Sequence, residues 1–382
     1  MTTQGPSARR IVFMLPGPLE RLSGGTIYDR QIIDGLRRAH WQVDLLVLSG
    51  AYPWPDAAAL DAAANQVARI PDGACVVADG LAFGAMPGIV QSHRRRLHWI
   101  ALVHHPLALE TGLNAAQQQQ SFANERLSLE AARGVIVTST STAAALAPYG
   151  VASAQIRVVE PGTRPAALAT GSRGTGTGTG AGAGQHHPAP LALLCVASLT
   201  PRKGHAVLLD ALAGLQGRNW ILHCVGDMQR DAATTRDLRE RITALGLAQR
   251  VVLHGELDAA ALQDMYQHAD VFVLPSYHEG YGMALAEALA CGLPVVSTTG
   301  GAIADTVPAH AGVLVPPGDN AALRMALERV LDDPQWRDAL AAGARRARAC
   351  QHDWPAAVGR FAAALEILER GTLPAPAPAP AR

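Results

Sequence analysis

Two glutamates and two glycines form a compact group of residues that could do chemistry. They lie in PSYHEGYGMALAEALACGLPVV, residues 275–296, where seven residues separate Glu279 from Glu287. Gly280 and Gly282 let backbone N–H groups approach a ligand closely, and the helix that is predicted to follow offers an anion site at its N-terminus. Carboxylates beside such amides would repel phosphate unless they face sugar hydroxyls. The stretch therefore predicts a ligand that combines sugar, phosphate and ribose; alternatively, the glutamates are a helix-start charge and a solvated helix residue.

A second group contains the one lysine of the chain. Lys203 lies in SLTPRKGH, residues 198–205, between a predicted strand at 191–197 and a predicted helix at 206–215. At such a junction the free N–H groups and the helix dipole attract an anion, and an ammonium group adds a compact charge. Arg202 and Lys203 therefore predict a phosphate site. The alternative is a solvated surface lysine.

The elements that must position these groups repeat along the chain. Short apolar runs alternate with segments of helical period, which predicts parallel sheets covered by helices on both faces. Ligands of such sheets bind beyond the carboxyl ends of the strands, so two of them predict a cleft between facing loops. The predicted strands are residues 11–15, 43–48, 75–78, 99–103, 135–138 and 156–159 in the first half, and 191–197, 221–225, 251–253, 271–274, 294–297 and 313–315 in the second.

Changes of composition divide the chain into five parts. Two Rossmann-like doubly wound domains are predicted at residues 1–165 and 191–354. Between them, residues 166–190 are predicted to be a flexible linker, because the repeated glycines of GSRGTGTGTGAGAGQHHPAP cannot bury apolar area. A helix is predicted at residues 355–370, and a disordered, extended Pro-Ala tail at 371–382.

Bulk composition excludes several classes of function. Lys plus Arg and Asp plus Glu both number 32, so there is no basic field of the kind that nucleic acid requires. The apolar stretch at residues 11–15 is too short for a signal peptide or a membrane span, which predicts a cytoplasmic protein without an integral membrane segment. Five widely spaced cysteines without a CxxC pair, and the lack of a DxD motif, predict no metal site.

The order of the motifs resembles the retaining glycosyltransferases of family 4, which have the two-domain GT-B fold. The resemblance covers nearly the whole chain outside the linker and the tail, and the Glu-x7-Glu segment in its context is its most specific element. The motifs that carry it are LSGGTIYD (22–29), LVHHPL (102–107), VVEPGT (158–163), SLTPRKGH (198–205), VGD (225–227), EGYGMALAE (279–287) and GLPVV (292–296).

The resemblance implies roles for the charged residues. Lys203 and Arg202 would bind the donor diphosphate, although the family's arginine usually follows a glycine at the strand end, where this chain has Ala197 and Ser198. Glu279 would contact the donor sugar. The family's histidine matches His104, although the adjacent His105 could be the one that faces the cleft, and either could instead be a satisfied core or cap histidine. The catalytic set that the resemblance implies is therefore His104, Arg202, Lys203 and Glu279.

Further residues would bind the donor. Glu287 would contact the ribose, and Gly24 and Gly25 would close over the phosphate from the other domain. The backbone of the residues after Glu279 would hold the sugar and phosphate; these are Gly280, Tyr281, Gly282 and Met283. The resemblance also implies that the N-terminal domain binds the acceptor, that the C-terminal domain binds the donor, and that the last helix packs back on the N-terminal domain.

The resemblance implies metal-independent transfer, with retention of configuration, from a nucleotide-diphosphate sugar of UDP or GDP type. No cofactor is predicted. The acceptor would be a glycan, a lipid-linked glycan or a small molecule, and a lipid-linked acceptor would bring the enzyme to the inner membrane face. The one basic patch for such contact is SHRRRLHW, residues 92–99, for which a solvated helix end is the alternative. Two other hypotheses stand beside transfer: an epimerase acting on the nucleotide sugar alone, and a non-catalytic sugar-nucleotide-binding protein.

Overall fold

Two six-stranded parallel sheets organise the molecule. The computed structural model describes residues 9–20, 23–172 and 189–370. Every strand pairs in parallel with its neighbours, which requires a crossover connection between consecutive strands. The predicted fold class, two doubly wound domains facing each other, is confirmed.

The N-terminal sheet has the strand order β2-β1-β3-β4-β5-β6. Its strands are β1 (Arg10–Leu15), β2 (Gln42–Val47), β3 (Cys75–Asp79), β4 (His98–Val103), β5 (Gly134–Val137) and β6 (Ile156–Val158). The two central strands, β3 and β4, are buried almost throughout because helices cover both faces of the sheet. These helices are α1 (Gly24–Arg38), α2 (Ala57–Ala68), α3 (Gly80–Phe83), α4 (Pro87–His93), α5 (Ala115–Leu129) and α6 (Thr140–Ala145).

The C-terminal sheet has the order β12-β11-β10-β7-β8-β9. Its strands are β7 (Leu191–Val196), β8 (Trp220–Val225), β9 (Val251–Gly255), β10 (Val271–Leu274), β11 (Val295–Thr298) and β12 (Gly312–Val315). All twelve predicted strands are present, each within two residues of its predicted bounds. The helices are α7 (His205–Ala213), α8 (Ala232–Ala244), α9 (Ala259–His268), α10 (Met283–Ala290), α11 (Ile303–Thr306), α12 (Asn320–Asp332), α13 (Pro334–Arg348) and α14 (Trp354–Arg370).

The last helix crosses back to the first domain, as predicted. Helix α14 packs along α1, and Trp354, Phe361 and Leu365 are buried in the N-terminal core. Gly35 of α1 makes this approach possible, because a Cβ atom at that position would overlap the side chain of Val358. The N-terminal domain therefore takes part of its core from the C-terminal end of the described chain.

The first residues of the predicted linker are attached to the C-terminal domain. The N–H of Ala169 donates to the carbonyl of Cys291 at 2.8 Å, and that of Thr170 donates to Gln267 at 2.8 Å. This attachment is a correction to a linker predicted to be flexible from residue 166. The predicted Gly-rich segment at 173–188 and the predicted tail at 371–382 lie outside the described residues. Within the described part of the chain, no helix combines the length and apolar character that a membrane span requires.

Candidate active site

The centre of the candidate site is an ion pair between two elements of the C-terminal domain. Lys203 closes a short 3-10 turn, Pro201–Lys203, and Gly204 follows with φ +73°, a left-handed conformation that turns the chain into α7. The Lys203 Nζ donates to Glu279 Oε1 at 2.6 Å, and the Ser276 hydroxyl donates to the same oxygen at 2.6 Å. The sequence segments that carry the two predicted motifs thus meet at one point.

Burial and charge act in opposite directions on this pair. Burial alone would raise the pKa of Glu279, but the charges of Lys203 and Arg202 outweigh it and lower the pKa to about 2. Burial lowers the pKa of Lys203, and the attraction of Glu279 opposes that shift. The carboxylate is therefore ionised at neutral pH and is held by cations that a bound ligand would have to share.

Arg202 lies beside this pair and reaches both domains. Its Nη1 donates to the carbonyl of His278 at 2.6 Å and lies 3.5 Å from Glu279 Oε2. Its Nε lies 3.0 Å from Oε1 of Glu110, a residue of the N-terminal domain. The guanidinium is about four-fifths buried, so its orientation is fixed before any ligand arrives.

Helix α10 begins at the predicted glycine turn. Gly282 has φ +90° and is followed directly by Met283, the first residue of the helix. Glu287 lies one turn further, on the same side of the helix as Met283. Its Oε2 accepts a hydrogen bond of 3.0 Å from the Tyr266 hydroxyl, and burial raises its pKa. The half-buried Tyr281 accepts a hydrogen bond at its carbonyl from Thr306, and burial raises the pKa of its phenol to about 12.

The N-terminal domain contributes the start of α1. Gly24 and Gly25 are the first two residues of this helix, which Ser23 caps. A Cβ atom on Gly25 would lie 3.3 Å from the ring of His104, and one on Gly24 would lie 3.9 Å from Met283 of the other domain. The two glycines thus line the contact between the domains.

His104 follows β4 and is held from behind by two buried carboxylates. Its Nε2 lies 3.3 Å from Asp29 Oδ1 and 3.4 Å from Asp79 Oδ2. Burial by itself lowers the pKa of the imidazole, but the hydrogen bonds and charges of the two carboxylates outweigh burial and raise it. One potential metal-ligating atom from each of Asp29, Asp79 and His104 lies within 4.8 Å of the other two, a spacing that could hold a metal ion. The absence of a metal remains a prediction.

The neighbouring His105 faces the Arg202 side of the cleft. Its Nε2 lies 3.1 Å from Glu110 Oε2, and its ring centroid lies 5.9 Å from that of His278. The side chains of His104 and His105 are both more than four-fifths buried. They face different sides of the cleft, since His104 contacts Asp29 and His105 contacts Glu110.

The two domains touch at the centre of the site. A Cβ atom on Gly280 would overlap the carbonyl oxygen of His104, so only glycine allows this approach. The hydroxyls of Thr138 and Thr142 lie 3.3 to 3.4 Å from the carbonyl oxygens of both residues. At the edge, the N–H of Ser141 donates to the Asp305 carboxylate at 2.9 Å. The structure shows the cleft in a closed arrangement.

The structure brings some predicted residues together and leaves others apart. Arg202, Lys203 and Glu279 form one charged group, whereas Glu287 pairs with Tyr266 instead. The residues that sequence reasoning missed are Asp29, Asp79, Glu110, Ser276 and His278. Asp79 did carry a signal, since it ends an apolar strand at the carboxyl edge of a parallel sheet.

Comparison with known proteins connects this arrangement to a family. Residues 184–347 match the family described as "Glycosyl transferases group 1". This range contains the charged group of Arg202, Lys203 and Glu279, and also Glu287.

Proteins named D-inositol 3-phosphate glycosyltransferase are similar in sequence. The one from Streptosporangium roseum is 30% identical over 282 residues, which cover 69% of this chain and 63% of that protein. The one from Thermomonospora curvata is 35% identical over 178 residues, or 44% of this chain and 41% of that protein. The chain thus spans less than two thirds of the length of these relatives.

Solved structures share the fold over nearly the whole chain. A sucrose-phosphate synthase from Thermosynechococcus elongatus superposes with a TM-score of 0.77 at 23% identity, covering 94% of this chain and 99% of that chain. Anabaena HepE in complex with UDP-glucose superposes with a TM-score of 0.72 at 19% identity, again covering 94% and 99%. At these identities the similarity establishes the two-domain fold.

Proposed function

We propose that the protein transfers a sugar from a nucleotide-diphosphate sugar to an acceptor, because residues 184–347 match the group 1 glycosyl transferases. The proposal rests on one observation: Arg202, Lys203 and Glu279 contact one another at the carboxyl edge of the C-terminal sheet. His104 and the start of α1 cover this group from the N-terminal domain. A group of two cations and a carboxylate matches a ligand with both phosphate and hydroxyl groups.

The diphosphate would bind Lys203, Arg202 and the N–H groups at the starts of α7 and α10. As the bond from sugar to diphosphate breaks, negative charge grows on the leaving oxygen, and fixed cations and N–H dipoles stabilise it without reorganising. Glu279 would exchange part of its contact with Lys203 for a sugar hydroxyl. Glu287, oriented by Tyr266, would accept a hydrogen bond from the ribose.

The proposal also includes retention of the sugar's anomeric configuration, transfer without a metal ion, and the identity of the donor's base. Cations of the protein would replace a metal at the diphosphate, and the acceptor would attack on the face from which the diphosphate leaves. A donor of UDP type is supported by likeness of fold to HepE, whose structure contains UDP-glucose, and a donor of GDP type is the alternative.

The acceptor would bind in the N-terminal domain, in the part of the cleft near His104. A lipid-linked acceptor would require contact with a membrane surface, and the run at residues 92–99 offers little for this. Arg96 is turned inward, where it donates to the carbonyls of Ile70 and Val67, which leaves Arg94 and Arg95 as exposed guanidiniums.

A thermal-shift screen without added metal tests the donor. The purified protein is melted with UDP, GDP, ADP, dTDP and their sugar conjugates, with EDTA present, and the screen is repeated with Lys203→Ala. We expect one nucleotide family to raise the melting temperature of the wild-type protein, and the variant to lose that shift. No shift with any nucleotide at millimolar concentration would refute a donor site. Turnover of the stabilising donor is then measured against a panel of acceptors.

A further inference from the structure

Glu110 connects the N-terminal domain to the cation nearest the proposed diphosphate site. It follows a short 3-10 turn, Leu107–Leu109, and its Oε1 lies 3.0 Å from Arg202 Nε and accepts a hydrogen bond from the N–H of Thr111 at 3.1 Å. Its Oε2 faces His105 at 3.1 Å. Burial would raise the pKa of Glu110, but His105 and Arg202 lower it to about 2, so the residue is charged at neutral pH.

Glu110 and Glu279 together offset the charges of the two cations at the proposed diphosphate site. Two cations, Arg202 and Lys203, face two carboxylates, Glu110 and Glu279. A diphosphate group carries at least two negative charges of its own, so the charge of Glu110 would oppose its approach to Arg202. For the diphosphate to pair with Arg202, one carboxylate must leave.

The two carboxylates differ in how firmly they are held. The side chain of Glu279 is 8% exposed and accepts hydrogen bonds from both Lys203 and Ser276. The side chain of Glu110 is 37% exposed and belongs to a connecting segment. Its contact with Arg202 joins the N-terminal domain to the C-terminal domain. Solvent can therefore take up the Glu110 carboxylate at lower cost than the more deeply buried carboxylate of Glu279.

We propose that Glu110 is a displaceable counter-ion of Arg202, which the donor diphosphate replaces on binding and which recaptures Arg202 when the nucleoside diphosphate leaves. This inference rests on the proposed function, and it adds a residue that sets donor affinity and product release. Glu110 is a positioning residue in this scheme, because it acts through Arg202 and not on the reacting atoms. It also keeps the guanidinium oriented and neutralised while the site is empty.

The direct test is Glu110→Gln, which keeps the size of the side chain and removes its charge. Calorimetric titration with UDP and GDP measures the affinity for the diphosphate, and titration with uridine and guanosine measures the contribution of the nucleoside alone. We expect the variant to bind the preferred nucleoside diphosphate about fivefold more tightly, since a partly exposed ion pair no longer competes. The affinity for the nucleoside should not change.

A matched control separates loss of the counter-ion from loosening of the domain contact. Asp305→Asn alters another polar contact between the domains, to Thr140 and Ser141, without touching Arg202. Equal tightening in this variant would overturn the proposal, as would unchanged or weaker diphosphate binding by Glu110→Gln. In an Arg202→Gln background, the effect of Glu110→Gln should disappear; its persistence there would also overturn the proposal.

Steady-state kinetics give an independent reading. Slower release of the nucleoside diphosphate predicts that Glu110→Gln lowers the donor KM and kcat together, whereas a merely structural role would lower kcat without lowering KM.

Failure of this inference can be told apart from failure of the proposed function. Nucleotide binding that Lys203→Ala abolishes, with no effect of Glu110→Gln, would contradict the counter-ion alone; no nucleotide binding by the wild-type protein would remove both.

Discussion

At the scale of single residues, the site is built around a charge pair that folding alone does not favour. Removing Lys203 and Glu279 from water costs several kcal/mol for each ion, and their attraction and hydrogen bonds only offset that cost. The 2.6 Å contact is therefore weak evidence of a net gain in stability over an apolar pair, and we expect both charges to serve the proposed ligand. This view gives a mutational test that needs no knowledge of the substrate.

Lys203→Met should lower the free energy of unfolding by about 3 kcal/mol, because it leaves the buried Glu279 carboxylate with fewer partners. The double variant Lys203→Met/Glu279→Gln should be more stable than the single lysine variant, since no uncompensated charge remains. Urea unfolding followed by circular dichroism measures both. A double variant less stable than Lys203→Met would show that the pair itself stabilises the fold.

The lowered pKa of Glu279 predicts how stability depends on pH. A carboxyl group whose pKa is about 2 in the folded protein and near 4.5 when unfolded stabilises the fold above pH 4.5, and this contribution is lost as the pH falls toward 2. Between pH 6 and pH 3 it should fall by about 2 kcal/mol. The drop in unfolding free energy over this range should be smaller by that amount in Glu279→Gln. Identical pH profiles would contradict the assignment.

At the scale of elements, sequence pattern was sufficient for the architecture but not for all of the site. Strands such as Val271–Leu274 are short apolar runs bounded by turn residues, so local chemistry alone marks them. The partners of the site residues depend on which loops meet in space. Glu110 lies 92 residues before Arg202, and no local spacing reveals their contact. Asp29 is the last residue of the motif LSGGTIYD, but its buried contact with His104 depends on how α1 packs on the sheet.

Helix α14 illustrates an element whose two faces should respond very differently to substitution. Phe361 is fully buried in the N-terminal core, whereas Ile367, on the same helix, is 52% exposed. Phe361→Ala should cost about 4 kcal/mol through lost burial and a residual cavity. The matched variant Ile367→Ala should change stability by less than about 0.5 kcal/mol. Chemical unfolding of both compares them, and equal effects would show that α14 does not complete the N-terminal core.

At the scale of the whole molecule, the proposed function depends on the contact between the two domains. Their contact at the site is made by backbone, with the carbonyl of His104 against Gly280 and the hydroxyls of Thr138 and Thr142 between the two carbonyl oxygens. Neighbouring side chains from both domains, including the Glu110 and Arg202 pair, then surround the proposed donor. The contact between the domains therefore also assembles the proposed site, and we expect a substitution that prevents this contact to disrupt the site.

Gly280→Ala tests this coupling. The added methyl group would overlap the His104 carbonyl oxygen and hold the domains apart, while each domain keeps its own core. We expect sugar transfer to fall about a hundredfold, as a displacement of about 1 Å between reacting groups would produce. Small-angle scattering of Gly280→Ala with UDP or GDP should show a larger radius of gyration than that of the wild-type protein with the same nucleotide.

Gly359→Ala is the control, because a methyl group on this exposed α14 position meets no atom within 4 Å. That variant should keep full transfer and the wild-type scattering curve; wild-type transfer by Gly280→Ala would show that catalysis does not need this approach of the domains.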